Sequence, residues 1–442
     1  METKPTLQTR RKFLRTSMLG AAATWTLPVF LEKTFVTLDA MAADTLTQTV
    51  TGKDGTILIV VQMAGGNDGL NTVVPYADDA YYRVRPRLGL LADKILKIDN
   101  YCGLNGKLTG LKSLFDEGHV AIVHGVGYPN PDRSHFRSTE IWQTGSDSNR
   151  NEANGWLGRY FDNCCSGVDP TVGVAIGDEM PQAFSAKSPT GVTFSRPEQF
   201  LWRLSEPEKG YRSAEEDFFR QLNGSDEESA AGVTDGAAIG ALSAKTKSNL
   251  STMDFLQRTA LDAQLSSDKI LAIARKYKSS VCYPQGHLGS SLNIIARMIA
   301  GGLPTRVYYA TQGGFDTHAG QMNAHERLMG NFNEAVNAFV ADLKQQGNFE
   351  RVLLMTFSEF GRRVAENANG GTDHGAAAPM FVLGGAVKPG LFGKYPSLVD
   401  LDHGDLKFNT DFRSVYGTLL DRWLKAPSEK VLGRKFRALA IV

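Results

Sequence analysis

The chain holds only four cysteines in 442 residues: Cys102, Cys164, Cys165 and Cys282. They form no CxxC pair and no Cys/His spacing of the zinc-module kind, which excludes a structural zinc finger. An oxidising compartment would permit a disulfide. Adjacent Cys164 and Cys165 do not easily pair with each other. Mostly buried or free thiols are expected, with Cys102–Cys282 or a pairing through Cys164 or Cys165 left open. Neither sign of charge prevails: 48 Lys and Arg face 47 Asp and Glu, a net charge of +1. No basic field therefore advertises nucleic-acid binding. Internal repeats of fixed period are absent as well. What remains is ordinary globular composition, 42% hydrophobic and 21% charged.

The first 42 residues read differently from the rest. A charged stretch, TRRKFLRTS, precedes the apolar run MLGAAATWTLPVF and the small-residue AMA at 40–42. That order is the pattern of an export signal. Arg10-Arg11 followed by Phe13 and Leu14 resembles the twin-arginine motif. The apolar run is too short for a membrane span of about 20 residues. Residues 1–42 are thus expected to be a twin-arginine signal peptide, handled by the export machinery, that delivers the chain to the periplasm or beyond. No integral span is expected after cleavage, which would shift the net charge from +1 to −2 by removing six basic and three acidic residues.

Beyond Thr56 the pattern is periodic. β-Branched runs recur at 56–63, 119–126, 171–177, 305–311, 351–357 and 380–385. Near-continuous apolar runs of this length mark strands buried on both faces. Helical patterns lie between them at 110–118, 291–303 and 325–347, the last with Leu328, Phe332, Ala335, Phe339 and Leu343 on one stripe. Alternating strands and helices predict an α/β fold, a mostly parallel sheet sandwiched by helices. One domain over 55–442 is expected, with a helical insertion at about 200–285. Within that insertion the Gly/Ala/Ser-rich stretch 223–249 reads as an exposed loop.

The chemistry-bearing residues gather where these strands end. Ligands in open α/β sheets bind outside the carboxyl ends of the strands. After the first strand, AGGNDGLNT presents Asn67 and Asp68 between glycines; alone, this is also a common turn. After 119–126, Ser134 and His135 precede a helix near Phe136. A serine there is an N-cap, or a nucleophile aided by the helix terminus. After 305–311, QGGFDTHAGQ places Asp316 and His318 two apart, on one side of an extended backbone. That carboxylate and imidazole suit zinc, iron or manganese. After 351–357, SEFGRR carries Ser358 and Glu359, a candidate ligand. It also carries Arg362 and Arg363, either able to hold an anionic ester bidentately, although Arg363 fits a surface ion pair better. GTDHG then sets Asp373 and His374 ahead of the strand at 380–385. In a parallel sheet these clusters can converge on one edge.

The series GGNDGLNTVVPY, SHF, GFDTH, TFSEFGRR, GTDHG with FVLGG, and TDFRSVYGTLL resembles a widespread family of exported bacterial proteins whose domain has no assigned function. The resemblance spans roughly 55–440. That family in turn looks like a branch of the alkaline phosphatase/sulfatase superfamily. The resemblance implies Asp68, Asp316, His318, Glu359 and His374 as ligands of one or two divalent ions. It implies Ser134, or its neighbour His135, as the nucleophile ahead of Thr144-Gly145. The sequence departs from the pattern at Phe360, which replaces a metal-binding histidine, and in the two-residue Asp316/His318 spacing. It has no Cys-x-Pro-x-Arg signature, so formylglycine chemistry is not implied.

The expectation is an exported metal-dependent hydrolase of phosphate or sulfate esters. In it Ser134 attacks, Arg362 assists, and zinc, manganese or iron neutralises the ester. The substrate is a small-molecule or polymer ester. The alternative is a non-catalytic exported binding or assembly protein on a degenerate hydrolase scaffold, favoured by Phe360.

Overall fold

Strand β1 (Ile57–Met63) shows how the sequence builds the sheet. Ile57, Ile59, Val61 and Met63 enter one apolar cluster, and Leu58 and Val60 enter another. A strand apolar on both faces must be covered on both faces, and in this computed structural model two helical layers do so. The structure describes residues 55–165, 170–187, 191–197 and 269–442. They belong to one compact unit, Leu46–Leu201 with Ser267–Val442. The signal-peptide reading and the 223–249 loop lie outside the described residues. Of the helix expected to run to Arg275, the described part, 269–276, is helical.

The main sheet has nine strands. After β1 come β2 (Val120–Gly127), β3 (Gly173–Ile176), β4 (Val192–Phe194), β5 (Val307–Gln312) and β6 (Val352–Phe357). Then follow β7 (Ala378–Gly384), β8 (Gly390–Phe392) and β9 (Thr410–Asp411). Their order is β8-β2-β7-β6-β1-β5-β3-β4, with β9 paired to β2. All six strands expected from the sequence are present, and every pairing is parallel except those of β7. That strand runs antiparallel to both neighbours, β2 and β6. The short edge strands β4, β8 and β9 had no hydrophobic run long enough to announce them.

Helices α1 (Thr109–Asp116), α4 (His287–Gly301) and α5 (Gln321–Gln345) cover one face. Helices α2 (His135–Thr144), α3 (Trp156–Cys164) and α6 (Phe412–Thr418) cover the other. The α5 stripe behaves as its spacing predicts: Phe332, Ala335, Phe339 and Leu343 are buried in the first cluster, with Leu328 at its margin. Helix α4 starts four residues earlier than the pattern indicated and stops at Gly302, which takes the left-handed conformation (φ +79°) of a helix C-terminus. The four cysteines are all free thiols, so the pairings left open by the sequence are not made. Among the described residues no helix is long and apolar enough to cross a membrane.

Candidate metal centre

Because β1, β5 and β6 are parallel, the loops that leave them share one edge of the sheet. Strand β2 points the same way, since it is antiparallel to β7, itself antiparallel to β6. The loop after β2 leads to α2, which opens with His135 at that edge. Strand β7 is reversed, so the residues before it arrive where the others leave. His374 therefore reaches the same place on the way into a strand.

Four side chains meet there. His318 Nε2 and His374 Nε2 each lie 3.1 Å from Asp316 Oδ1, and 2.9 Å from one another. His135 Nε2 lies 3.5 Å from Asp316 Oδ2. One ligand atom each from His135, Asp316 and His374 falls within 4.8 Å of the others. The three imidazoles are partly exposed and Asp316 is about half exposed, so the cluster opens to solvent.

The outward nitrogens of the histidines are also fixed. His135 Nδ1 lies 2.9 Å from Glu359 Oε1, His318 Nδ1 3.2 Å from Asp373 Oδ1, and His374 Nδ1 2.8 Å from the Arg133 carbonyl oxygen. Each of those oxygens accepts, so each Nδ1 is the donor there and each ring turns its Nε2 toward Asp316. Phe360 lies beneath it, its ring centroid 4.3 Å from that of His374 and 4.9 Å from that of His135. The phenyl ring supplies a wall that holds two imidazoles in place, where the resemblance implied a ligand was missing.

Asp316 owes its position to Arg362. Arg362 Nη2 donates to Asp316 Oδ1 at 2.8 Å and to the Phe315 carbonyl at 2.9 Å. Partial burial works to raise the Asp316 pKa, but the Arg362 hydrogen bond, then His374 and the Arg362 charge, bring it down to about 2. The carboxylate is therefore ionised and ready to face a cation. Gly65 completes the cradle. Its N–H donates to Glu359 Oε1 at 2.7 Å, and its φ is +118°. A Cβ at this position would stand 2.4 Å from the Asp316 backbone nitrogen.

Of the residues anticipated from the sequence, the structure brings Asp316, His318 and His374 together directly. Glu359 stands behind them: its Oε1 orients His135, while its buried Oε2 has no hydrogen-bond partner among the described residues. Asp68 corrects the expected ligand set. Its side chain is fully buried against Arg85 at 2.6 Å, caps the one-turn helix Gly69–Thr72 through Leu70 N, and accepts from Gln321. Burial alone would raise its pKa, yet Arg85 foremost, with His325, holds it below the ordinary range. This carboxylate already has its cation. Asn67 is likewise turned inward, onto Thr72 and His325.

Arg362 is a second correction. The ester-holding role needs an accessible guanidinium, and this side chain is fully buried. It donates to Gly66 O and Thr372 O, each at 2.7 Å, and to Gly65 O, besides Phe315 and Asp316. Its work is to tie three loops together. Ser358 does similar work, donating to Met63 O at 2.7 Å and accepting from Asn67 N at 2.8 Å. Ser134 occupies the N-cap position of α2, but its hydroxyl makes no capping bond and the residue is exposed. Arg363 is at the surface, 3.7 Å from Asp405.

The residue absent from the expected ligands is His135. The signal that could have found it is the recurrence of one histidine in each of three loops at this edge. A match to the family described as "Protein of unknown function (DUF1501)" spans residues 121–404 and takes in all four converging side chains. The chain belongs to that family. No curated protein matches this DUF1501 member. Among solved structures it is similar to the PsFucS1 sulfatase from Pseudoalteromonas sp., at 11% identity over 91% of this chain and 70% of that one, with a TM-score of 0.33. It is also similar to the lipoteichoic acid synthase LtaP from Listeria monocytogenes, at 9% identity over 81% and 71%, TM-score 0.32. A third is the alkaline phosphatase of the Antarctic bacterium TAB5, at 10% over 76% and 95%, TM-score 0.31. At these scores the likenesses lend no weight to a reading of this chain's chemistry.

Proposed function

We propose that this protein is an exported, metal-dependent hydrolase of phosphate or sulfate esters. The observation that carries the metal part is the convergence of three imidazole nitrogens on an ionised carboxylate. With each Nδ1 held on an oxygen, each Nε2 can give its lone pair to a cation placed among them. Three nitrogens and one oxygen suit zinc, manganese or iron. His135, Asp316, His318 and His374 would hold the ion, backed by Glu359, Asp373 and the Arg133 carbonyl, as ligating histidines are commonly backed. When bound, a divalent ion supplies charge neutralisation for an anionic ester and lowers the pKa of a coordinated oxygen.

The chain's own groups do the rest. Ser134 is the nucleophile in this reading, because its exposed hydroxyl is left unused by the helix it precedes. It opens the ten-residue α2, whose N-terminal N–H groups favour a developing negative charge. Arg362 keeps Asp316 ionised from within the fold. The twin-arginine signal read at 1–42 supports the exported location. Export in the folded state would let the ion be loaded beforehand.

One observation favours a second reading, a non-catalytic exported binding or assembly protein on the same scaffold: Arg362 is consumed internally and cannot steady an ester. Elemental analysis of the natively exported protein separates the readings, beside the Asp316→Ala/His374→Ala double variant. Near-stoichiometric zinc, manganese or iron, lost in the double variant, is expected, followed by turnover in an ester screen. A folded protein without metal would overturn the hydrolase reading. Bound metal with no turnover of any phosphate or sulfate ester would leave the binding protein.

A further inference from the structure

A cavity of about 600 Å³ opens at the carboxyl ends of β1, β5 and β3, the sheet edge that carries the centre. That volume is within the range of about 300–1,000 Å³ usual for small-molecule sites. Its floor is a buried polar triad. Tyr309 donates to Gln62 Oε1 at 2.5 Å, and Gln143 Nε2 lies 3.2 Å from both Gln62 Oε1 and the Tyr309 hydroxyl. Gln62 is only 6% exposed, and among the described residues its Nε2 bonds to no protein atom, so this donor stays open to a molecule in the cavity. A molecule that displaces water from this amide without accepting from it loses a hydrogen bond. The rim carries Asp178 and Glu179, both exposed.

Helix α2 joins this cavity to the centre. His135 begins the helix and Gln143 is eight residues on, about 12 Å along the axis at 1.5 Å per residue. Gly313, at the exit of β5, lines the cavity, and Asp316 follows in the same loop. One molecule can therefore present an ester to the histidines and its remaining body to the cavity.

The chemistry of the wall selects that body. Among the described residues no Lys or Arg lines the cavity and two carboxylates stand at its rim, so an anion is disfavoured. An apolar group would leave the Gln62 amide unpaired. A simple cation suits the carboxylates but cannot accept from Gln62. A hydroxyl both donates and accepts, and several hydroxyls on one frame match carboxylates and amide together. We propose that this cavity is a binding subsite for an uncharged, hydroxyl-rich moiety, a sugar or cyclic polyol. Its place as the second half of a substrate site rests on the hydrolase reading; its binding does not.

The test is saturation-transfer NMR on the exported protein with galactose, glucose, lactose, maltose, myo-inositol and glucosamine. Transfer to at least one neutral probe is expected. It should be lost in Asp178→Ala/Glu179→Ala, whose exposed positions spare the fold, and in Gln62→Leu, with near-ultraviolet circular dichroism confirming its packing. It should persist in Asp316→Ala/His374→Ala. No transfer from any neutral sugar would overturn the proposal, as would transfer from glucosamine alone, which marks a cation site. Transfer that survives both cavity variants, or that disappears only in the Asp316/His374 variant, would also overturn it. If sugar transfer persists in a protein that binds no metal, the subsite stands and the hydrolase reading alone falls.

Discussion

Glu359→Gln isolates the support of the centre from the stability of the fold. Glu359 Oε1 accepts two hydrogen bonds, from Gly65 N at 2.7 Å and from His135 at 2.9 Å, and Oε2 is buried with no partner. Glutamine has the same shape and keeps an oxygen for both accepted bonds. Its amide group replaces an oxygen that bonded to nothing. The metal-free variant should therefore unfold within about 1 kcal/mol of the parent, one ordinary hydrogen bond's worth. Metal affinity should respond more strongly. A carboxylate on Nδ1 raises the basicity of a ligating imidazole, and losing such support costs about 10–100-fold in affinity, or about 1.4–2.7 kcal/mol. Glu359→Ala is the contrast: it leaves the Gly65 N–H unpaired and should cost a further ~1–3 kcal/mol of stability. Competition with a chromophoric chelator for zinc and manganese gives the affinities, and urea unfolding of chelator-stripped protein gives the stabilities. Parental zinc and manganese affinity in the glutamine variant would refute the role assigned to Glu359. So would a stability loss matching that of the alanine variant.

Ser134→Ala should abolish ester turnover while elemental analysis still finds metal; retained turnover removes the nucleophile assignment. Gly65→Ala forces a side chain onto a backbone at φ +118°, against Asp316 N, and should destabilise by about 2–5 kcal/mol in urea unfolding. Two acid-limb predictions follow from pKa direction. Asp316 is ionised in the folded chain down to about 2 against an ordinary 3.8, so its contribution is full above 3.8 and lost as pH falls through about 2. Asp316→Asn should flatten the stability curve of metal-stripped protein across that window. Burial lowers His325 from 6.5 to about 4, so the unfolded chain takes up its proton first and stability declines as pH falls from 6.5 toward 4. The decline amounts to about 3 kcal/mol, and His325→Gln should remove it.

How far the sequence carried the fold is clearest in the sheet. Runs such as TILIVVQM and RVLLMTF locate buried strands, because only a strand covered on both faces is apolar at every position. They hold no information about direction, so the reversal of β7 was not legible, although His374 needs it to reach the edge. Asp316 and His318 were legible because they are close in sequence and leave the same strand. Asp68 misled because its partner is Arg85, in a different segment, and a local pattern cannot show which carboxylate a distant guanidinium will neutralise. Arg362 misled for the same reason: the sequence shows a charge, but not the four backbone carbonyls folded around it. His135 was read beside Ser134 as an alternative nucleophile, because nothing local shows that its ring faces Asp316 rather than a substrate.

The reversed β7 ties the centre to a long-range join of the sheet. Strand β7 sits between β2 and β6, and its pairing with β2 joins segments more than 250 residues apart. His374 is in place only once β7 has been seated, and His135 only once the loop after β2 is held at that edge. A cation gripped by both would act as a latch across that seam. Any ion that prefers the finished chain stabilises it by mass action, and here the stabilisation falls on the join between β2 and β7. Stripping the ion should therefore be felt first as fraying of β7 from β2, with the parallel block of β1, β5 and β6 outlasting it.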